Sequence, residues 1–281
     1  MLSIIICSRK NHISSELKQN IAETIGCEYE LVIVDNSKNQ YSIFQAYNEG
    51  VRKSKGEALC FMHEDVLYKT NNWGEMICDL FRDESIGLIG VLGGHAMPAM
   101  PASWITLNYK SGQIINPDRQ SYYGRRQQGM KCIDVACVDG LMMCVRRGLF
   151  DCIRFDDETF LGFHCYDTDI CMQVWQQRYR VVVVYDVFVE HKSFGIHNDE
   201  YFKSIDLFYE KWKDSLPLIK GIDIPEYDFE ERLMLAVYGE EGAELRRLRK
   251  IPESNAYKIG KAILAPFRWC KRIIKIKFKN K

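Results

Sequence analysis

The chain has 281 residues, 47% of them hydrophobic, and its 38 basic and 38 acidic side chains balance to a formal net charge of zero. That is enough apolar material for one large α/β domain or two small ones, and it argues against a disordered chain. The 11 cysteines are scattered without a Cys-x-x-Cys pair and many sit inside apolar runs, which reads as free thiols in a reducing cytosol. The start "MLSIIICSRK" lacks a basic leader region, and no apolar stretch approaches the roughly 20 residues needed to span a bilayer.

In chain order, "SIIIC" (3–7), "ELVIVD" (30–35) and "EALCFM" (57–62) are short, nearly continuous β-rich runs, the pattern of strands buried on both faces. Between them lie "SSELKQNIAETI" and "SIFQAYNEGVRKS"; in the second, Ile43, Phe44, Tyr47 and Val51 recur at helical spacing behind Ser42, a suitable N-cap. This alternation predicts an α/β fold with a mostly parallel central sheet flanked by helices, in which ligands bind beyond the carboxyl ends of the strands. Those ends are Cys7, Ser8 and Arg9, then Asp35, Asn36 and Ser37, then His63, Glu64 and Asp65, and they should share one rim. The helix "WGEMICDLFRD" and the strand "IGLIGVLGG" follow. Residues 95–133, rich in Pro, Gly, Tyr and Arg, read as long loops over a site, and their aromatics Trp104, Tyr109, Tyr122 and Tyr123 either face a ligand or pack the loops. "VACVDGLMMCVRRGLF" reads as a strand interrupted by Asp139 and Gly140, where glycine suggests a bulge or a close ligand approach. "FHCYDTDICMQV" opens a helix on a carboxylate pair, and "VVVVYDVFVEH" reads as one strand ending at His191.

Several residues carry chemistry. Three consecutive ionisable groups, His63, Glu64 and Asp65, close an apolar strand, and burying them unpartnered would cost several kcal/mol each. On an extended segment His63 and Asp65 point one way and Glu64 the other. Alone, the triplet is an ordinary polar turn; near other acidic and imidazole groups it suits a divalent cation and a diphosphate. Asp167 and Asp169 stand near a helix start, where one of them could simply cap. His191 is either a structural histidine or a metal ligand. Asp35 closes an ordinary turn or accepts a hydrogen bond from a base or ribose.

The ordered set "SIIICSRKN", "ELVIVDNS", "NEGVRKSKGEALCFMHEDV", "VDGLMMCVRRGLF", "FHCYDTDICMQV" and "VEHKSFG" resembles the family-2-type glycosyltransferases of the GT-A fold, from about residue 2 to residue 195. The resemblance implies a catalytic domain over 1–220, followed by a helical extension over 221–281. It implies a nucleotide held at Ser8, Arg9 and Asp35, with His63, Glu64, Asp65, Asp139 and Gly140 completing the donor site. The family's Asp-x-Asp metal motif falls on "HED", with Asp65 as its last carboxylate and His63 in place of its first, and a bacterial branch with His-x-Asp is nearest to this pattern. The family's Glu-Asp catalytic pair falls on Tyr166 and Asp167, so Asp167 is the expected base and the Glu is replaced. His191 falls on a frequent further metal contact, beside Asp65. The implied activity is an inverting transfer of a sugar from a nucleoside diphosphate donor, a UDP-sugar first, with Mg²⁺ or Mn²⁺, to a saccharide or lipid-linked glycan in bacterial surface-polysaccharide synthesis. The alternative is a degenerate domain of the same fold that binds nucleotide sugar or a partner without transfer.

Two other classes fare worse. A dinucleotide-dependent oxidoreductase would want Gly-x-Gly-x-x-Gly after the first strand, where this chain has "CSRKNH". Nucleic-acid binding is disfavoured by the charge distribution: nine basic residues and no acidic one follow Glu253, leaving 29 basic against 38 acidic groups in the body. The tail "YKIGKAILAPFRWCKRIIKIKFKNK" (257–281) is basic and amphipathic, suited to an anionic bilayer or to packing on the acidic body. The expectation is a cytoplasmic protein resting peripherally on the inner face of the cell membrane.

Overall fold

The computed structural model describes residues 1–116, 119–124, 129–193 and 198–225, with residues 229, 232 and 233 besides. The chain divides into two compact units, residues 1–225 and 226–281, and the fold below is that of the first. The basic segment 257–281, with its expected membrane contact, lies outside the described residues. Among the described residues no helix is long and apolar enough to cross a membrane.

The chain opens with β1 (Leu2–Ser8), α1 (Ser15–Thr24), β2 (Tyr29–Asp35), α2 (Ile43–Lys53) and β3 (Ala58–Met62). Ser14 starts α1 by accepting the amide of Leu17, and Ser42 and Gln45 close a capping box on α2. Each helix thus begins where its free amides find a side-chain oxygen. The chain continues through β4 (Val66–Tyr68), α3 (Trp73–Leu80), β5 (Ile86–Gly90), β6 (Leu92–Gly94), β7 (Ala96–Met97), β8 (Lys110–Asn116), β9 (Arg119–Tyr123), β10 (Cys132–Asp134), β11 (Cys137–Val138) and β12 (Met142–Arg146). It ends with α4 (Tyr166–Gln176), β13 (Arg180–Val184), β14 (Val189–His191), α5 (Asp199–Trp212) and β15 (Leu218–Ile219).

The central sheet has seven strands in the order β10-β13-β5-β12-β3-β1-β2. β1 lies parallel to β2 and β3, and β13 parallel to β5, while β12 runs antiparallel between β3 and β5 and β10 runs antiparallel at the edge. The mostly parallel direction expected from the strand–helix alternation therefore holds, with β10 and β12 reversed. β3 and β5 are buried along their whole length, which is why their sequences show no alternation. Ser8 and Asp35 are register partners at the ends of β1 and β2.

Two expectations are corrected. Residues 95–133 are not mainly loops: they form β7 to β10 and a short 3-10 turn at Trp104–Leu107, and β8 and β9 make a hairpin in a second sheet of order β11-β6-β8-β14-β4. β8 and β9 are largely polar, so strand pairing, not apolar alternation, makes them strands. "VVVVYDVFVEH" is not one strand: β13 belongs to the central sheet and β14 to the second. Asp186 is the one charged residue in the gap between them, and the buried valines on either side outweigh it as a signal.

Of the two readings of Trp104, a ligand face or loop packing, its burial supports packing. Trp104 is 5% exposed and lies on Gly94, where a Cβ would collide with the indole. Trp104→Ala is therefore expected to cost about 3–5 kcal/mol of stability in urea unfolding while leaving donor affinity unchanged. Lost acceptor affinity at unchanged stability would contradict this packing role.

Candidate active site

The rim expected from the strand ends does assemble, and each side chain on it has an identifiable support. β3 ends at Met62, and the amide of His63 then donates to the carbonyl of Leu141 (3.1 Å), which sets the "HED" turn against the 139–141 turn. His191 arrives from far along the chain because β14 pairs antiparallel with β4, putting His191 opposite Val66, the residue after Asp65. The result is a cluster of His63, Asp65 and His191 in which one ligand atom from each lies within 4.8 Å of the others.

The spacing fits a metal ion. His63 Nδ1 and His191 Nε2 are 3.4 Å apart, and His191 Nε2 and Asp65 Oδ1 are also 3.4 Å apart. Ligand bonds of about 2.1 Å put neighbouring ligand atoms about 3.0 Å apart in octahedral and about 3.4 Å apart in tetrahedral geometry. Two imidazoles and one carboxylate form a donor set that Mn²⁺, the less oxygen-selective of the two, suits better than Mg²⁺. Burial alone would raise the Asp65 carboxyl, but hydrogen bonds from His191 and Ser193 outweigh it and hold the group well below the usual carboxylate range. Burial pushes His63 below its ordinary value, with His191 adding to the effect, so the ring favours the neutral form a ligand needs. His63, expected at the donor, thus stands with Asp65 and His191 as a third possible metal ligand.

Glu64 turns the other way, as expected, although residues 64–65 form a turn between β3 and β4 and not extended strand. Its Oε2 accepts from the Ser8 hydroxyl (2.6 Å) and its Oε1 from the Arg9 amide (3.4 Å). Ser8 in turn accepts from the amide of Lys10 (3.1 Å). Glu64 and Ser8 therefore tie the end of β3 to the end of β1. Arg9 is exposed beside them. Asp35 is exposed at the end of β2; its Oδ1 accepts the Ser37 amide (2.9 Å), and the Ser37 hydroxyl and amide hold its carboxyl below the ordinary value.

The acidic pair on α4 separates into two environments. The helix starts after Cys165, which adopts φ 68°, so neither Asp is the cap residue. Asp167 accepts from Gly140 N (3.1 Å) through Oδ2 and from Thr168 N (2.8 Å) through Oδ1. Burial, joined by the neighbouring Asp139 carboxylate, pushes its pKa up to about 7 against those two amides. Asp139 is held in its turn by the Leu141 amide, which donates to Oδ1 (3.0 Å). Asp169 is 1% exposed and points away, accepting from Lys211 Nζ (2.6 Å), Trp212 Nε1 (2.8 Å) and Gln173 Nε2 (2.7 Å). It anchors α5 to α4. Asp169→Ala leaves the buried Trp212 N–H without its acceptor, while Lys211 keeps Asp156 (2.7 Å), and is expected to cost about 1–3 kcal/mol, read as a lower urea midpoint. Wild-type stability of that variant would show the network to be dispensable.

Two residues at the site had no assigned role in the sequence. Tyr166 places its hydroxyl 2.7 Å from His63 Nε2. Phe163, 42% exposed, stands with its ring centroid 6.0 Å from that of His63 and 5.8 Å from that of Tyr166, and its amide donates to Glu200 of α5 (3.3 Å). The aromatic run before the acidic pair was visible; its exposure was not.

The sequence model of the Glycosyltransferase like family matches residues 3–212. The streptomycin biosynthesis protein StrF of Streptomyces griseus is 29% identical over 130 residues, 45% of this chain and 44% of that protein, so the chain spans under half the length of this relative. The solved structure of GalNAc-T7 with UDP, GalNAc and Mn²⁺ superposes with a TM-score of 0.52 at 12% identity, over 93% of this chain and 58% of that one. That of S. aureus TarS 1–349 with UDP-GlcNAc gives 0.49 at 13% identity, over 85% and 72%.

Proposed function

Since the chain belongs to the Glycosyltransferase like family, and is thereby a glycosyltransferase, we propose that it moves a sugar from a nucleoside diphosphate donor to a saccharide or lipid-linked acceptor with inversion at the anomeric carbon. The observation that carries the reading is the pairing, on one rim, of a cation-spaced cluster with a carboxyl poised near neutral pH. A base whose pKa lies near the working pH combines ionised population with proton affinity.

In this reading Asp167 takes the proton of the acceptor hydroxyl as that oxygen forms its bond to the anomeric carbon, and the bond from that carbon to the diphosphate oxygen breaks. The amides of Gly140 and Thr168 fix the carboxylate that does this. His63, Asp65 and His191 would hold a divalent cation, and when bound it would neutralise charge on the leaving diphosphate. Ser8, Arg9 and Asp35 would carry the nucleotide, with Glu64 bracing the first strand end. Phe163, exposed next to Tyr166, offers the acceptor ring an aromatic face. The domain boundaries 1–220 and 221–281, a place in bacterial surface-polysaccharide synthesis and a tail resting on the anionic inner face of the membrane belong to the same proposal.

A thermal-shift panel of nucleoside diphosphates and their sugars, with and without Mn²⁺, followed by hydrolysis of the best donor, tests the reading. Donor-specific, Mn²⁺-dependent stabilisation together with sugar release is expected. Binding without any release would favour the second reading, a degenerate domain, which draws on Tyr166 and His63 standing where the family has carboxylates. No stabilisation by any donor would remove both. Co-sedimentation with anionic liposomes, comparing the full chain with one ending at Glu253, addresses the tail; equal recovery of both in the supernatant would end that part.

A further inference from the structure

We propose that Tyr166 is a positioning residue that fixes the ring orientation and tautomer of His63, so that His63 presents Nδ1 as a metal ligand. This rests on the reading of His63, Asp65 and His191 as a metal centre. The two ring nitrogens of His63 face different partners: Nδ1 lies 3.4 Å from His191 Nε2, on the cluster side, and Nε2 lies 2.7 Å from the Tyr166 hydroxyl. A neutral imidazole has one N–H and one lone pair, and only the nitrogen with the lone pair can bind a metal. With Nδ1 turned to the cluster, the proton belongs on Nε2, where the Tyr166 oxygen accepts it. A phenol oxygen accepts that hydrogen bond while keeping its own proton, and so adds no charge beside Asp139 and Asp167. A carboxylate in this place would add one.

The phenol is held where this requires. Tyr166 is 4% exposed, and its ring stands edge-on to Phe44 (6.3 Å, 89°) and to Tyr47 (5.6 Å, 73°). Gly140 makes room for the hydroxyl, because a Cβ at that position would collide with it. The amide of Gly140 also donates to Asp167 (3.1 Å), so the first turn of α4 reaches the cluster through Tyr166 and the 139–141 turn through Asp167. The departures His63 and Tyr166 and the glycine at 140 then form one unit.

The test reads Mn²⁺ binding to the full chain from the free-ion electron paramagnetic resonance signal, with no turnover involved. Tyr166→Phe keeps the ring and removes the acceptor; it is expected to weaken Mn²⁺ by about 10- to 100-fold, as loss of a ligand's hydrogen-bond partner commonly does. Gly140→Ala, which displaces the hydroxyl from the other side, should weaken Mn²⁺ in the same direction and serves if the Phe variant folds poorly. Ring ¹⁵N resonances of His63 with a diamagnetic cation should show the proton on Nε2 in the wild type and a mixed population in Tyr166→Phe, a change that mere packing would not produce. Wild-type Mn²⁺ affinity in Tyr166→Phe, with affinity lost in His63→Ala, would overturn the positioning role and leave the metal centre standing. Unchanged affinity in His63→Ala, Asp65→Ala and His191→Ala alike would overturn the metal centre and the inference with it.

Discussion

Asparagine at position 167 should give a folded protein that still binds donor and transfers sugar about 10² to 10⁴ times more slowly, the usual worth of a general base. Wild-type kcat/KM should rise with pH through about 7, where burial and Asp139 place the Asp167 pKa, and then level, because only the ionised form accepts a proton. Stability carries the opposite sign. A carboxyl whose pKa is raised on folding favours the native state in full below its unfolded pKa, and that contribution is lost as pH rises through the folded value. The melting temperature of Asp167→Asn relative to wild type should therefore climb between about pH 4 and pH 7 and then level, although Asn cannot accept from Gly140 and Thr168 through two oxygens. Near-normal turnover in this variant would remove Asp167 as base. Asp169 would not inherit the role, since Lys211, Trp212 and Gln173 occupy its carboxylate.

Removing the cluster should have the second large effect. Asp65→Ala, His191→Ala and His63→Ala each delete one of three donor groups spaced for a cation, and each is expected to lower Mn²⁺-dependent donor affinity by about 100-fold or more, well beyond the loss of a supporting hydrogen bond. EDTA should do the same to the wild type. Mn²⁺ should restore binding better than Mg²⁺, because imidazole nitrogen is a poor match for the harder ion. Glu64→Gln is the control from the same turn: its carboxylate faces Ser8 and Arg9, so metal affinity should stay at the wild-type level. Isothermal titration of donor with and without metal reads all of these, and donor binding indifferent to EDTA and to all three substitutions would mean the site works without a cation.

The local signals proved reliable where their physics is local. The opening β-α-β-α-β order was legible because helix spacing and N-caps act within about one turn, and Ser14 and Ser42 do cap where they stand. Glu64 and Asp65 do face different partners, as read, but in a turn between β3 and β4 where strand alternation does not apply. The hairpin within 95–133 was not legible, since its largely polar strands are fixed by pairing with each other and, for β8, with β6 and β14, and not by apolar alternation. The break between β13 and β14 was not legible either, because a lone Asp186 interrupts a valine-rich run and the pairing of β14 with β4 is not local.

At the rim the sequence by itself determined which chemical groups are present and, through the alternation of strands and helices, that the ends of β1, β2 and β3 would lie together. Only the tertiary structure decided which of those groups touch. His63 and His191 meet across 128 residues because β14 pairs with β4, and Tyr166 reaches His63 across 103 residues because α4 packs its first turn where Gly140 leaves space. The two aspartates of "YDTD" differ for the same kind of reason. They are two residues apart on one helix, but one faces backbone amides and a second carboxylate while the other faces an ammonium and an indole, and those neighbours come from distant segments. Hydrogen-bond partners and pKa values are set by what strand order and helix packing bring within a few ångströms, a length scale on which distance along the chain carries no information.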